Sequence, residues 1–262
     1  MLLKKGINSV VFIDFETNGL NPDECYPTEI AIKEVLIDNQ RGRWIDRYDT
    51  LIQLPEGEEI PEKITELTGL TTDLVNTQGK PIKLVQNEII DFFKANTLVV
   101  AQNANFDLGF LRFHFGISPK QFICTKTVEA VAFPENSNSL AKMHKHYYPD
   151  SDIEQYHRAA GDVEMLSEVF DAQLKAIDEE GMMFFINRIA ILPERPLVFY
   201  PLYAKYMDFT NKYVPKSRYD ALEVRAEDYA RDSAFLSCLE AAGVDNWSGY
   251  SYAWEMYEEE TD

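Results

Sequence analysis

Two carboxylates, Asp14 and Glu16, lie two positions apart inside the apolar run VVFIDFET, residues 10–17. Side chains on a strand alternate between its faces, so both acids share one face of a segment otherwise made of Val11, Phe12, Ile13 and Phe15. Burying two like charges there is costly unless a cation pairs with them, and a divalent metal serves both at once. Taken alone, the pair is equally compatible with a strand end open to water.

β-Branched and aromatic residues also crowd positions 29–37 and 48–54, bounded by turn formers such as Asn21-Pro22, Asn39 and Pro55. With 10–17 they predict three successive strands in a meander. Helical periodicity follows over 62–67 and 81–94, where Leu84, Ile89 and Phe92/Phe93 recur on one side and Pro81 suits a first turn. The run TLVVA at 97–101 is apolar throughout, the pattern of a strand covered on both faces, and 106–115 returns to helical spacing. After Phe122-Ile123, helices are predicted over 127–133, 139–148 and from His157/Arg158 to about 178. Three strands followed by alternating strand and helix predict an α/β fold, a mixed sheet with helices on its faces.

Beyond 178 the character changes. Pro193, Pro196 and Pro201 punctuate a connection containing Phe184, Phe185, Phe199, Tyr200, Tyr203 and Tyr206, aromatic enough to be expected to dock. Helical patterns follow over 222–242, stopped by Gly243, and over 250–260, capped by Asp245 or Asn246. Trp247 and Trp254, seven apart, fall on one face if that helix reaches them. The expected organisation is a catalytic domain at 1–178 and an acidic, aromatic-rich, mainly helical extension at 179–262.

Charge narrows the function classes. The chain is net −19, and residues 221–262 carry eleven Asp and Glu against two Lys and Arg, net −9, which speaks against coating nucleic acid electrostatically. An enzyme that reaches phosphates through bound cations stays open. Cys25, Cys124 and Cys238 lack disulfide or zinc spacing, and MLLKKGINSVVFIDF lacks a signal-peptide layout. The apolar stretch 182–192 is short and contains Arg188, so a cytoplasmic protein with no membrane role is expected.

Two further places carry chemistry. Asp107 ends the stretch Gln102-Asn103-Ala104-Asn105-Phe106, where a buried strand gives way to helix. Ligands and catalytic groups gather at such carboxyl ends, although capping by Asn105 or Asp107 explains the same residues without chemistry. His157 and Asp162 are five apart, which is not a same-face helical spacing. His157 therefore belongs to the loop or first turn before the helix, and Asp162 to the helix.

In chain order, FIDFETNGL, AQNANFDLGFL and HRAAGDVEML resemble the three motifs of the DEDD exonuclease superfamily, in its His-containing, DEDDh or DnaQ-like subtype. IPEKITELTGLTTDLV is similar to the segment between the first two motifs in proofreading exonucleases, and the resemblance spans residues 7–178. It implies a ribonuclease H-like fold, a five-stranded mixed sheet flanked by helices. It also implies that Asp14, Glu16, Asp107 and Asp162 hold two Mg²⁺ ions, for which Mn²⁺ substitutes, and that His157 is the general base. The implied reaction is 3′-5′ removal of nucleoside 5′-monophosphates from single-stranded DNA ends, in proofreading or repair. Two cations about 3.5–4 Å apart activate the water and stabilise the leaving oxygen, and a histidine of ordinary pKa near 6.5 takes the proton.

Thr17 and Leu20, in the turn after the first motif, and Asn103 and Phe106, beside the third carboxylate, are the implied substrate contacts. A core role for Phe106 is an equal alternative. The sequence departs from many relatives at Gln102, where they carry His, which bears on substrate preference. Two other functions stand beside this one: an RNA 3′-trimming exoribonuclease, since no motif reports a 2′-hydroxyl, and a catalytically silent module recruiting a polymerase or other partner. The mark of the last would be loss of a carboxylate or the histidine, and all five are present.

Overall fold

Apolar strands that alternate over two faces need a covering layer on each, and the computed structural model supplies both. It describes residues 6–38, 41–151, 157–192 and 197–209. The strands β1 (Ser9–Thr17), β2 (Pro27–Asp38), β3 (Arg41–Leu51), β4 (Thr97–Ala101) and β5 (Phe122–Cys124) form one sheet in the order β3-β2-β1-β4-β5. β1, β2 and β3 are an antiparallel meander, whereas β4 runs parallel to β1 and β5 parallel to β4. This is the mixed five-stranded sheet expected from the sequence.

The helices are α1 (Glu62–Thr68), α2 (Thr72–Gln78), α3 (Ile82–Ile89), α4 (Ala104–Phe115), α5 (Thr125–Ala132), α6 (Leu140–Tyr147) and α7 (Ala159–Phe184). Odd positions of β1 (Val11, Ile13, Phe15) pack with α4 residues such as Leu108 and Phe115. Even positions (Val10, Phe12) pack with Val163, Leu166 and Phe170 of α7. The rings of Phe12 and Phe170 meet edge-on at 5.6 Å. Every residue of β4 is buried, as its unbroken apolar run requires.

Several boundaries depart from the sequence pattern for identifiable reasons. β3 starts at Arg41, not 48, because an edge strand needs backbone pairing but tolerates a charged sequence such as RGRWIDR. It ends at Leu51, after which Ile52 leaves to bridge Lys80. The helix expected over 81–94 stops at Ile89 and tightens into a 3₁₀ turn, Ile90–Phe92, with Pro81 just before its first turn. α2 has no apolar periodicity to announce it; it buries Val75 and is started by the Thr71 hydroxyl, which accepts the Leu74 N–H. α7 continues past 178 through a break at Asp178 (φ 60°, ψ 177°). The Asp178 carboxylate accepts the N–H groups of Glu180 and Gly181, acting as a cap that restarts the helix.

The chain divides into two units, Met1–Ile189 with Leu197–Tyr206, and Ala190–Pro196 with Met207–Asp262. Two short strands, β6 (Arg188–Ile191) and β7 (Lys205–Asp208), pair with each other. In the first unit the aromatic connection docks in part. Phe185 is buried, and Phe199 meets Phe113 edge-on at 5.8 Å above Gly109, where a Cβ would lie 3.0 Å from Phe199. Phe184, Tyr200, Tyr203 and Tyr206 remain exposed. The helices expected over 222–242 and 250–260, with Gly243, Trp247 and Trp254, lie outside the described residues. Among the described residues no helix is long and apolar enough to cross a membrane.

Candidate active site

Strand alternation puts Asp14 and Glu16 on the face of Val10 and Phe12, the face that α7 covers. The start of α7 therefore arrives over them. It brings Asp162, in its first turn, and His157, two residues before it. Carboxylate oxygens of Glu16 and Asp162 and a ring nitrogen of His157 all lie within 4.8 Å of one another. Asp107 reaches the same place from the other side of the sheet. β1 runs beyond its last rung with β4, Phe12↔Val100, and Asp107 Oδ1 accepts the N–H of Phe15 at 3.2 Å. Asp14 feels Asp107, Asp162 and Glu16 directly.

The capping alternative for Asn105 and Asp107 is not what α4 uses. Its cap position is Asn103, which makes no side-chain cap bond. Asn105 instead donates to Asn103 Oδ1 at 3.0 Å and accepts the Val198 N–H at 3.1 Å. Phe106 is partly buried, its ring 4.9 Å from that of Phe110. Gln102 spends its side chain on structure, donating to the Asn138 carbonyl and accepting from the Thr125 hydroxyl.

The turn after β1 is fastened from within. The Thr17 hydroxyl donates to the Gly19 carbonyl at 2.6 Å, and the Asn18 side chain links Tyr26 N–H to the Glu59 carbonyl. Gly19 lies against Cys25, where a Cβ would sit 2.3 Å from Sγ and force that side chain to move. His114 Nε2 faces the carbonyls of Pro22 and Cys25, which makes it the protonated ring nitrogen. Leu20 stands out of this fastened turn, 63% exposed.

Sequence reasoning missed Glu29 and Arg158. Glu29 lies opposite Glu16 in the β1–β2 register and is buried. Its carboxylate accepts Arg158 Nη2 at 2.6 Å, Arg158 Nε at 3.0 and 3.2 Å, and the Ala159 N–H at 3.0 Å. Further along α7, Glu164 takes Lys33 at 2.6 Å and Arg47. Two charged residues on one face of β2, Glu29 and Lys33 four positions apart, were the available signal. His157, just before this anchor, has φ 48°, a left-handed conformation costing a non-glycine residue about 1–3 kcal/mol that its surroundings must supply.

Crowded acids inside protein hold protons. Burial, then Asp107, Asp162, Glu16 and Glu29, pushes Asp14 well above the usual carboxylate range. Burial, then Asp162, Glu29 and Asp107, raises Glu16 to about 9 against a small opposing effect of Arg158. A carboxyl whose pKa is raised on folding contributes stability that is fully present below its unfolded pKa and lost as pH rises through the folded one. We predict that the metal-free protein melts at progressively lower temperature from pH 5 to pH 9, and that Mg²⁺ recovers more at pH 8.5 than at pH 5.5. Melting curves with EDTA or Mg²⁺ test this. Glu16→Gln should flatten the metal-free slope, and a wild-type melting point that is flat or rises over this range would refute the account.

Comparison with known proteins agrees with this geometry. Residues 11–170 match the family model described as Exonuclease. Residues 210–261, outside the described residues, match a model described as Phage T7 gp5.9 RecBCD inhibitor. A PolC-type DNA polymerase III of Thermotoga petrophila is 32% identical over 172 residues, covering 61% of this chain and 11% of the relative. That of Bacillus cereus is 31% identical over 180 residues, covering 66% and 12%. The chain thus matches only a small part of those polymerases' length. Among solved structures, a zinc-bound E. coli ExoI–ssDNA complex superposes with TM-score 0.54 at 15% identity, over 68% of this chain and 42% of that one. Cell-death related nuclease 4 does so with TM-score 0.53 at 14% identity, over 66% and 65%. At such identities the likeness is one of fold. With the family model covering residues 11–170, the chain belongs to the exonuclease family, DnaQ-like and built on a ribonuclease H-like fold.

Proposed function

We propose that residues 1–178 form a metal-dependent 3′-5′ exonuclease that releases nucleoside 5′-monophosphates from single-stranded DNA ends, and that residues 179–262 form an appendage holding a protein partner. The observation that carries the first part is the gathering of Glu16, Asp162 and His157 within 4.8 Å, with Asp14 and Asp107 in electrostatic contact. Hard oxygen donors crowded until they retain protons are relieved by a hard dication, so Asp14, Glu16, Asp107 and Asp162 fit as holders of two Mg²⁺ ions, with Mn²⁺ as substitute. Bound there, the ions supply Lewis acidity to the attacking water and the leaving 3′ oxygen.

The chain's own residues do the rest. His157 accepts the water's proton at its imidazole nitrogen. Leu20 offers an apolar surface to the terminal nucleotide from a turn whose shape Thr17 sets, while Asn103 and Phe106 meet the strand from the start of α4, Phe106 by stacking. The similarity to PolC-type polymerases supports DNA over RNA as substrate, and a replication or repair role in the cytoplasm. For residues 210–261, the match to a RecBCD-inhibitor model supports a RecBCD-type partner, and the net −9 of 221–262 supports an electrostatic contact with it.

The test is Mg²⁺-dependent digestion of matched 5′-labelled single-stranded DNA and RNA. A ladder shortening from the 3′ end on DNA, with RNA much slower, is expected. Faster cutting of RNA would make the chain an exoribonuclease, and no cutting of either would favour a binding module. In the same assay series the inactive Asp162→Ala chain should inhibit RecBCD, and lack of inhibition would remove the partner reading.

A further inference from the structure

We infer that Glu29 and Arg158 form a positioning clamp that sets His157 over the carboxylates. The inference rests on the proposed role of His157 as base. Neither residue belongs to the five that the motifs single out. Glu29 is fixed in β2, opposite Glu16, and is buried. Both edges of its carboxylate are occupied by one short stretch of chain, the Arg158 fork and the Ala159 N–H. Charge-assisted, two-pronged contacts of this kind restrict direction as well as distance. They bind the two residues that follow His157 to the sheet that carries Asp14 and Glu16.

His157 needs such an anchor. Its left-handed backbone (φ 48°) is not one that the residue adopts by default, and preceding residues 152–156 lie outside the described ones. What holds it on the described side is the 158–159 link across β2. A general base must sit within hydrogen-bond reach of the proton it takes, and displacement of a catalytic group by about 1 Å can cost about 10²-fold in rate. The clamp also touches α7 more widely, because the Arg158 carbonyl accepts the N–H groups of Gly161 and Asp162 at 2.9 and 3.0 Å. A role through His157 therefore has to be separated from a role through Asp162.

A double-mutant cycle on full-length chain separates them. Arg158 is the safer site, its side chain being 45% exposed. Arg158→Met is expected to lower kcat on single-stranded DNA by about 10- to 100-fold with KM within about twofold. In a His157→Ala background the same change should cost less than about twofold, because the group it positions is gone. Arg158→Lys, which keeps the charge and loses the fork, should retain most of the defect. Glu29→Gln should reproduce it wherever its melting curve shows a folded protein. Equal losses in both backgrounds would overturn the clamp and assign the pair to the helix or to Asp162. So would full activity in Arg158→Met or Arg158→Lys. If His157→Ala alone leaves the rate unchanged, the base assignment falls first and the clamp with it, an outcome distinct from additivity.

Discussion

Replacing Asp162 with alanine is expected to abolish digestion of single-stranded DNA, a loss on the order of 10³-fold or more, while the protein stays folded. The residue is buried in the first turn of α7, within 4.8 Å of a carboxylate oxygen of Glu16 and a ring nitrogen of His157. Its charge is among those that push Glu16 up to about 9. Removing it takes away a proposed metal ligand and, at the same time, one source of repulsion. The metal-free variant should therefore melt no lower than the wild type at pH 8, and its melting point should respond less to Mg²⁺. Unchanged turnover would end the proposed role of Asp162. A collapsed melting point would mean instead that the carboxylate is a structural group, and the activity loss would carry no mechanistic weight.

The opposite signs expected for activity and stability follow from how the site is built. Strand β1 supplies an apolar spine with two acids on one face, α4 brings a third past the end of β4, and α7 lowers a fourth onto the first pair. Folding holds like charges together because the hydrophobic packing of α4 and α7 on either face of the sheet outweighs their repulsion. On the proposed reading, a dication held there would relieve that repulsion.

Much of this was legible in the sequence because it depends on local periodicity. The period of two put Asp14 and Glu16 on one face, and the change from TLVVA to helical spacing put Asp107 at a strand end. The five-residue gap from His157 to Asp162 placed the histidine before α7, as observed. What could not be read was long-range pairing. Glu29 and Arg158 are 129 positions apart, and an acid near the start of TEIAIKE looks like a solvated strand residue until β1 is laid beside it. His114 was only a lone histidine on a helix until the turn at Pro22–Cys25 folded over it. The first half of β3 and the whole of α2 went unread for a related reason, since edge pairing and a single cap leave little trace in hydropathy.

The histidine gives the second large effect. His157→Ala is expected to slow the chemical step by about 10²–10⁴-fold at neutral pH. Its consequences should differ in kind from those of Asp162→Ala. An imidazole acting as base is not needed to hold cations, so Mg²⁺ should still raise the melting temperature of the variant. Because His157 sits in a left-handed conformation that glycine adopts freely, His157→Gly should be at least as stable as His157→Ala. An unaffected rate would mean that another group takes the proton. Loss of the Mg²⁺-induced melting shift would place the imbalance elsewhere: the ring nitrogen, already within 4.8 Å of Glu16 and Asp162, would then be a ligand rather than a base.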